Sequence, residues 1–90
     1  MRTVLYMIIE RFPNGDPSAV GARFRERGRL LPDGVEYRAS WMEPSGVSCF
    51  QVMWAESRIL LDQWIERWRD LVDFTVVPVM ESTEFWAGQN

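Results

Sequence analysis

The side chains able to do chemistry in this chain are few, and two absences narrow them further. It contains no histidine, and all ten basic residues are arginine. An imidazole general base, a zinc site built on imidazole and a proximal haem histidine are therefore excluded. Without lysine, Schiff-base catalysis is excluded too. The one cysteine, Cys49, leaves no internal disulfide. A reactive thiol needs a neighbour that lowers its pKa, and only arginine could serve here, so Cys49 is read as structural. No pair of ligands stands at metal spacing, and no metal or cofactor is implied. What remains is Tyr6, Tyr37 and Arg38, which could orient or deprotonate a small substrate, with Trp41, Cys49, Gln51 and Met53 as further lining. An apolar surface with a few convergent polar groups is the usual make-up of a ligand cavity. The plain alternative for each is a buried tyrosine with a satisfied hydroxyl, an inert core thiol and an edge-strand arginine in solvent.

A second group is Arg23, Arg25, Arg27 and Arg29. On a helix, Arg23 and Arg27 form one i,i+4 pair and Arg25 and Arg29 another, which spreads the charge over the exposed surface. Glu26 interrupts the run, and the chain carries a net charge of −3 with a pI near 4.9, which argues against nucleic acid. The run is either a solvated helix face or the positive patch of an interaction module. An all-arginine cation set reflects base composition or, for a subset, bidentate anion binding.

The elements that must position these groups are legible. Gly34 to Glu56 spells two strands around a turn at Glu43-Pro44-Ser45-Gly46, where proline presets φ and glycine accepts φ > 0. With Glu43 opposite Val47, one face of the hairpin carries Val35, Tyr37, Ala39, Trp41, Cys49, Gln51 and Met53. The other carries Arg38, Ser40, Met42, Phe50, Val52 and Trp54. Upstream, Thr3 to Glu10 is a strand apolar on both faces, as a central strand is. A helix follows from about Pro17 to Arg29, with Asp16 as cap and Val20 and Phe24 on its buried side. Gly21 in mid-helix hints at close packing. A second helix opens at Glu56-Ser57 and runs to about Asp70, with Leu61, Trp64, Ile65, Trp68 and Leu71 at amphipathic spacing. Asp73 to Met80 is a last strand, held to an edge by Pro78. Ser82 to Trp86 is one helical turn, whose Phe85 and Trp86 require a cover.

The order β-α-β-β-α-β specifies an α+β, ferredoxin-like plan: a four-stranded antiparallel sheet with two helices on one face. Right-handed crossovers put the first and third strands in the centre. Residues 1–90 form a single domain, and 47% apolar content excludes disorder. The apolar run Val4 to Ile9 is too short for a membrane span or signal segment, so it is read as the mature N-terminal strand of a cytoplasmic protein. The sheet face away from the helices must carry Leu5, Met7 and Ile9 or their alternates, beside Trp41 or Phe50. So large an apolar patch predicts a C2 homodimer joined face to face, with a small-molecule pocket between the sheet and the dimer mate.

The stretches Y-M-I-I-E-R-F-P-N-G-D-P, F-R-E-R-G-R-L-L-P-D-G-V, C-F-Q-V-M, W-I-E-R-W-R-D-L-V-D-F and V-V-P-V resemble a family of short, mostly bacterial proteins. That family is a domain of unknown function within the dimeric α/β-barrel superfamily. The resemblance spans nearly the whole chain and implies the fold and the homodimer, but no activity and no catalytic residues. The wider superfamily holds cofactor-independent monooxygenases, haem-degrading enzymes, muconolactone isomerase-like proteins and stress-responsive barrels. The haem-degrading type relies on a histidine that this chain lacks. Two functional expectations result: a homodimer that binds a small apolar or aromatic molecule, with or without cofactor-independent oxygenase or isomerase-type activity, or a non-catalytic structural or interaction module.

Overall fold

The computed structural model describes residues 4–89; Thr3, where the first strand is expected to begin, lies outside them. Strand β1 (Val4–Arg11) leads through a 3₁₀ turn at Pro13–Gly15 into helix α1 (Ser18–Arg27). Strands β2 (Val35–Met42) and β3 (Ser48–Ala55) form the hairpin, and helix α2 (Arg58–Glu66), strand β4 (Asp73–Val79) and helix α3 (Ser82–Ala87) complete the chain. The sheet is antiparallel in the order β2-β3-β1-β4, so the two-sided apolar β1 is central and the proline-bearing β4 lies at an edge. The hairpin turns where expected: Gly46 N–H donates to Glu43 O at 2.8 Å, with Gly46 at φ 81°.

Strand alternation sorts the side chains cleanly. Tyr6, Ile8 and Glu10 share the helix-covered face with Cys49, Gln51 and Met53, while Leu5, Met7 and Ile9 share the open face with Phe50, Val52 and Trp54. The main core forms where α2 lies on the sheet. Leu61, Trp64 and Trp68 seal Tyr6, Ile8, Val35, Met53 and Ala55, each of these eight being buried. Burying a large side chain of this kind contributes roughly 1.5–3 kcal/mol relative to exposure. The Ser57 hydroxyl caps α2 by accepting from Leu60 N–H at 3.4 Å.

Helix α1 is different. It has no buried residue, and Phe24, expected on its buried side, is 43% exposed. Its apolar content amounts to Val20 and Phe24 among arginines, too little surface to draw the helix tightly onto the sheet. Gly21 faces no neighbouring element either; a Cβ there would meet only the Arg25 guanidinium, at 3.5 Å. The helix is instead tied at its side by Arg23, whose guanidinium donates to both Asp70 carboxylate oxygens (2.8 and 2.6 Å) and to Arg67 O (2.9 Å).

The hairpin register departs from the expected one at a single place. Tyr37 pairs with Met53 as anticipated, but Ala39 pairs with Val52 and Trp41 with Phe50, so a bulge lies at Arg38. One inserted residue reverses which side chains face which way. Trp41 and Ala39 consequently stand on the open face, and Ser40 and Met42 stand on the helix face opposite Gln51 and Cys49.

Candidate functional site

The gap between α1 and the sheet is a cleft of about 570 Å³. Phe12, Val20, Phe24 and Met42 supply its apolar walls, and Glu10, Arg29, Ser40, Cys49 and Gln51 its polar groups. Glu10 arrives there by simple alternation: it follows Tyr6 and Ile8 at steps of two along β1 and sits opposite Cys49 of β3. Only 8% of it is exposed, and its Oε2 accepts from Gln51 Nε2 at 3.2 Å. Burial pushes its carboxyl up from the ordinary 4.5 to about 7. The Cys49 thiol, the Arg29 charge and the Gln51 amide each pull it down, but by less than burial raises it. The thiol is pushed up to about 11, first by burial and then by the neighbouring Glu10 charge, so it stays protonated and unreactive near neutrality.

Arg29 is fixed from behind. The indole N–H groups of Trp64 and Trp68 both donate to Arg29 O, each at 3.0 Å, and Arg67 Nη1 donates to Leu30 O at 2.6 Å. Leu30 takes φ 62°, a conformation a bulky side chain adopts only when its surroundings impose it. With its backbone held by α2 and the turn that follows it, Arg29 lays its guanidinium over the Tyr37 ring, 3.5 Å from the centroid, with the Phe24 ring at 5.1 Å on the same group. Among the described residues this guanidinium makes no ion pair. A desolvated carboxyl and an unpaired cation thus face one small apolar volume.

The seven candidate lining residues divide. Cys49 and Gln51 line the cleft. Tyr37 borders it, donating or accepting with Ser40 Oγ at 2.8 Å beneath Arg29. Tyr6 and Met53 are core residues under α2, 6% and 0% exposed. Trp41 is 58% exposed on the open face, because the bulge turns it there. Arg38, at that bulge on the outer strand, pairs with Glu36 at 3.4 Å away from the cleft. The arginine run does not make one patch: Arg23 is bound to Asp70, Arg25 and Arg29 line the cleft, and Arg27 stands by Glu26. Glu10, Arg29 and Ser40 were not among the candidates. Glu10 left a sequence signal, an acid continuing the buried alternation of Tyr6 and Ile8. Arg29 left none, since its place depends on two tryptophans some 35 and 39 residues away.

The comparisons with known proteins agree with this architecture. The family described as Domain of unknown function (DUF3303) matches residues 4–89. The solved structure of Rv0793 from Mycobacterium tuberculosis is similar over 88% of this chain and 98% of that one, with a TM-score of 0.51 at 20% identity. At that identity the likeness is one of fold alone. No curated protein matches.

Proposed function

Since the chain belongs to the DUF3303 family, whose description carries no activity, we propose its function from its own geometry. It is a homodimer that binds a small apolar or aromatic molecule in the cleft between α1 and the sheet. The observation that carries this reading is the cleft itself: about 570 Å³ with apolar walls and a buried, hydrogen-bonded Glu10–Gln51 pair at its floor. Ligand cavities typically hold about 300–1,000 Å³ and orient their contents with just such a small polar set. This reading puts the site on the helix side of the sheet, where the sequence alone points to the face against a dimer mate.

The dimer is supported by the opposite face. Leu5, Met7, Ile9, Phe50 and Val52, all half-buried, lie with the exposed Trp41 on the sheet face away from the main core. Phe85 and Trp86 of α3, 45% and 67% exposed, are further apolar side chains that a second subunit would cover. A cytoplasmic setting is part of the reading, supported by the single buried, unpaired thiol. The interaction-module alternative draws less support, because Arg23 is held by Asp70, Arg27 stands by Glu26, and the arginine run makes no single patch.

Native mass spectrometry of the purified protein tests both parts together. A dimer carrying extra small-molecule mass is expected. Gln51→Leu should release the ligand and leave the dimer, whereas Met7→Asp, at the centre of the open face, should give monomers. A monomeric wild type at micromolar concentration would refute the dimer, and ligand mass unaffected by Gln51→Leu would refute the cleft.

A further inference from the structure

Resting on the cleft reading above, we infer that the cleft is a proton-transfer site for a small enolisable carbonyl compound with an aromatic or apolar body and an anionic head, with Glu10 as the base and Arg29 as the anchor. Glu10 and Arg29 reach one volume from two separate elements, β1 and the α1–β2 connection, and neither is consumed by an ion pair with the rest of the described chain. Phe12, Val20 and Met42 are the right surroundings for an aromatic or branched apolar body. A guanidinium stacked on Tyr37 and backed by two indole-held carbonyl contacts is already ordered, so it can bind a carboxylate or enolate oxygen without first being immobilised.

The chemistry balances within these groups. As the C–H bond beside the substrate carbonyl breaks, its proton forms an O–H bond with a Glu10 carboxylate oxygen. The C–H electron pair becomes the carbon–carbon π bond of the enolate, and the carbonyl π pair moves onto oxygen, where positive charge stabilises it. Return of the proton from Glu10 to the same carbon, or to a conjugated one, regenerates the carboxylate. Nothing is oxidised or reduced. A carboxyl held near neutrality by burial is matched to this work, because a general base operates best with its pKa close to the working pH. Gln51, which donates to Glu10 Oε2 at 3.2 Å, holds the carboxyl in place and is a positioning residue.

Phenylpyruvate is the probe: it combines a phenyl ring, a carboxylate and benzylic protons made acidic by the adjacent ketone. Its benzylic hydrogen–deuterium exchange in D2O is followed by proton NMR, and its binding by saturation-transfer difference NMR on the same samples. The wild type should show saturation transfer to the ring and exchange roughly 10²-fold or more above the buffer rate, the usual contribution of a positioned base. Glu10→Gln should keep the saturation signal and lose the acceleration. Arg29→Met should lose the signal, and Arg29→Lys, which keeps the charge, should recover part of it. Saturation transfer with exchange at the buffer rate would overturn the proton-transfer inference and leave the binding cleft standing. Absence of both signals would overturn the two together. Acceleration that survives in Glu10→Gln would remove Glu10 from the role.

Discussion

Replacing Glu10 with glutamine should change how stability depends on pH, and the size of the change follows from where the carboxyl sits. In the folded protein burial raises its pKa from 4.5 to about 7. Between those values the folded state holds a proton that the unfolded chain has released, so stability falls as pH rises across the window. Below about pH 4.5 both states are protonated and nothing is lost; above about pH 7 the whole loss is in place. At about 1.4 kcal/mol per pH unit the interval amounts to roughly 3 kcal/mol, an upper figure because water entering the open cleft screens part of it. Glutamine has nearly the same shape, never ionises, and can still accept from Gln51 through its amide oxygen. Urea unfolding followed by tryptophan fluorescence, at one fixed protein concentration so that association does not intrude, measures this directly. The variant should match the wild type near pH 4.5, and by pH 8 it should be more stable by roughly 2–3 kcal/mol. Parallel pH profiles for the two proteins would refute the reasoning, since they would mean that Glu10 is ionised in the fold at little cost. A variant less stable at every pH would refute it as well, by showing that the charged form is the one the site prefers.

Three further substitutions probe the frame that holds the cleft. Leu61→Ala, at a position with 0% exposure beneath α2, should cost about 2–5 kcal/mol in the same unfolding experiment. Gly34 has φ 88°, and a Cβ there would come within 2.7 Å of Leu60 Cδ1 and 2.8 Å of Glu56 Oε2. Gly34→Ala should therefore lower the urea midpoint, by a loss of about 1–3 kcal/mol. Gly21→Ala should do the opposite: its Cβ finds ordinary space, and the helix gains about 0.5–1 kcal/mol, visible as a raised midpoint with an unchanged slope.

Much of the architecture was legible because it rests on short-range rules. The two-sided apolar run of β1, the Glu43–Gly46 turn, the stripe of α2 and Pro78 in β4 each act within a few residues, and together they leave one sheet order open. The candidate site was legible only in part. Cys49, Gln51 and Met53 share one face as the unbroken alternation of β3 requires, but that face lies under the helices and not, as the sequence suggests, against a dimer mate. Trp41 was misplaced because nothing local announces the extra residue at Arg38, and a single slip inverts the rest of β2. Spacing alone puts Phe24 on the buried side, but α1 carries too little apolar surface to close on the sheet, and Phe24 stays exposed.

What the chain's own residues determined, then, was the ferredoxin-like fold, the apolar character of the open sheet face, and the exclusion of imidazole and lysine chemistry. Tertiary structure alone decided the site. The stand-off of α1 creates the volume, the indoles of Trp64 and Trp68, 35 and 39 residues away, fix Arg29 beside it, and burial on the helix face lifts the Glu10 carboxyl toward neutrality. Each of these is a property of the space between elements, and desolvation in particular has no value until a neighbouring element has excluded water.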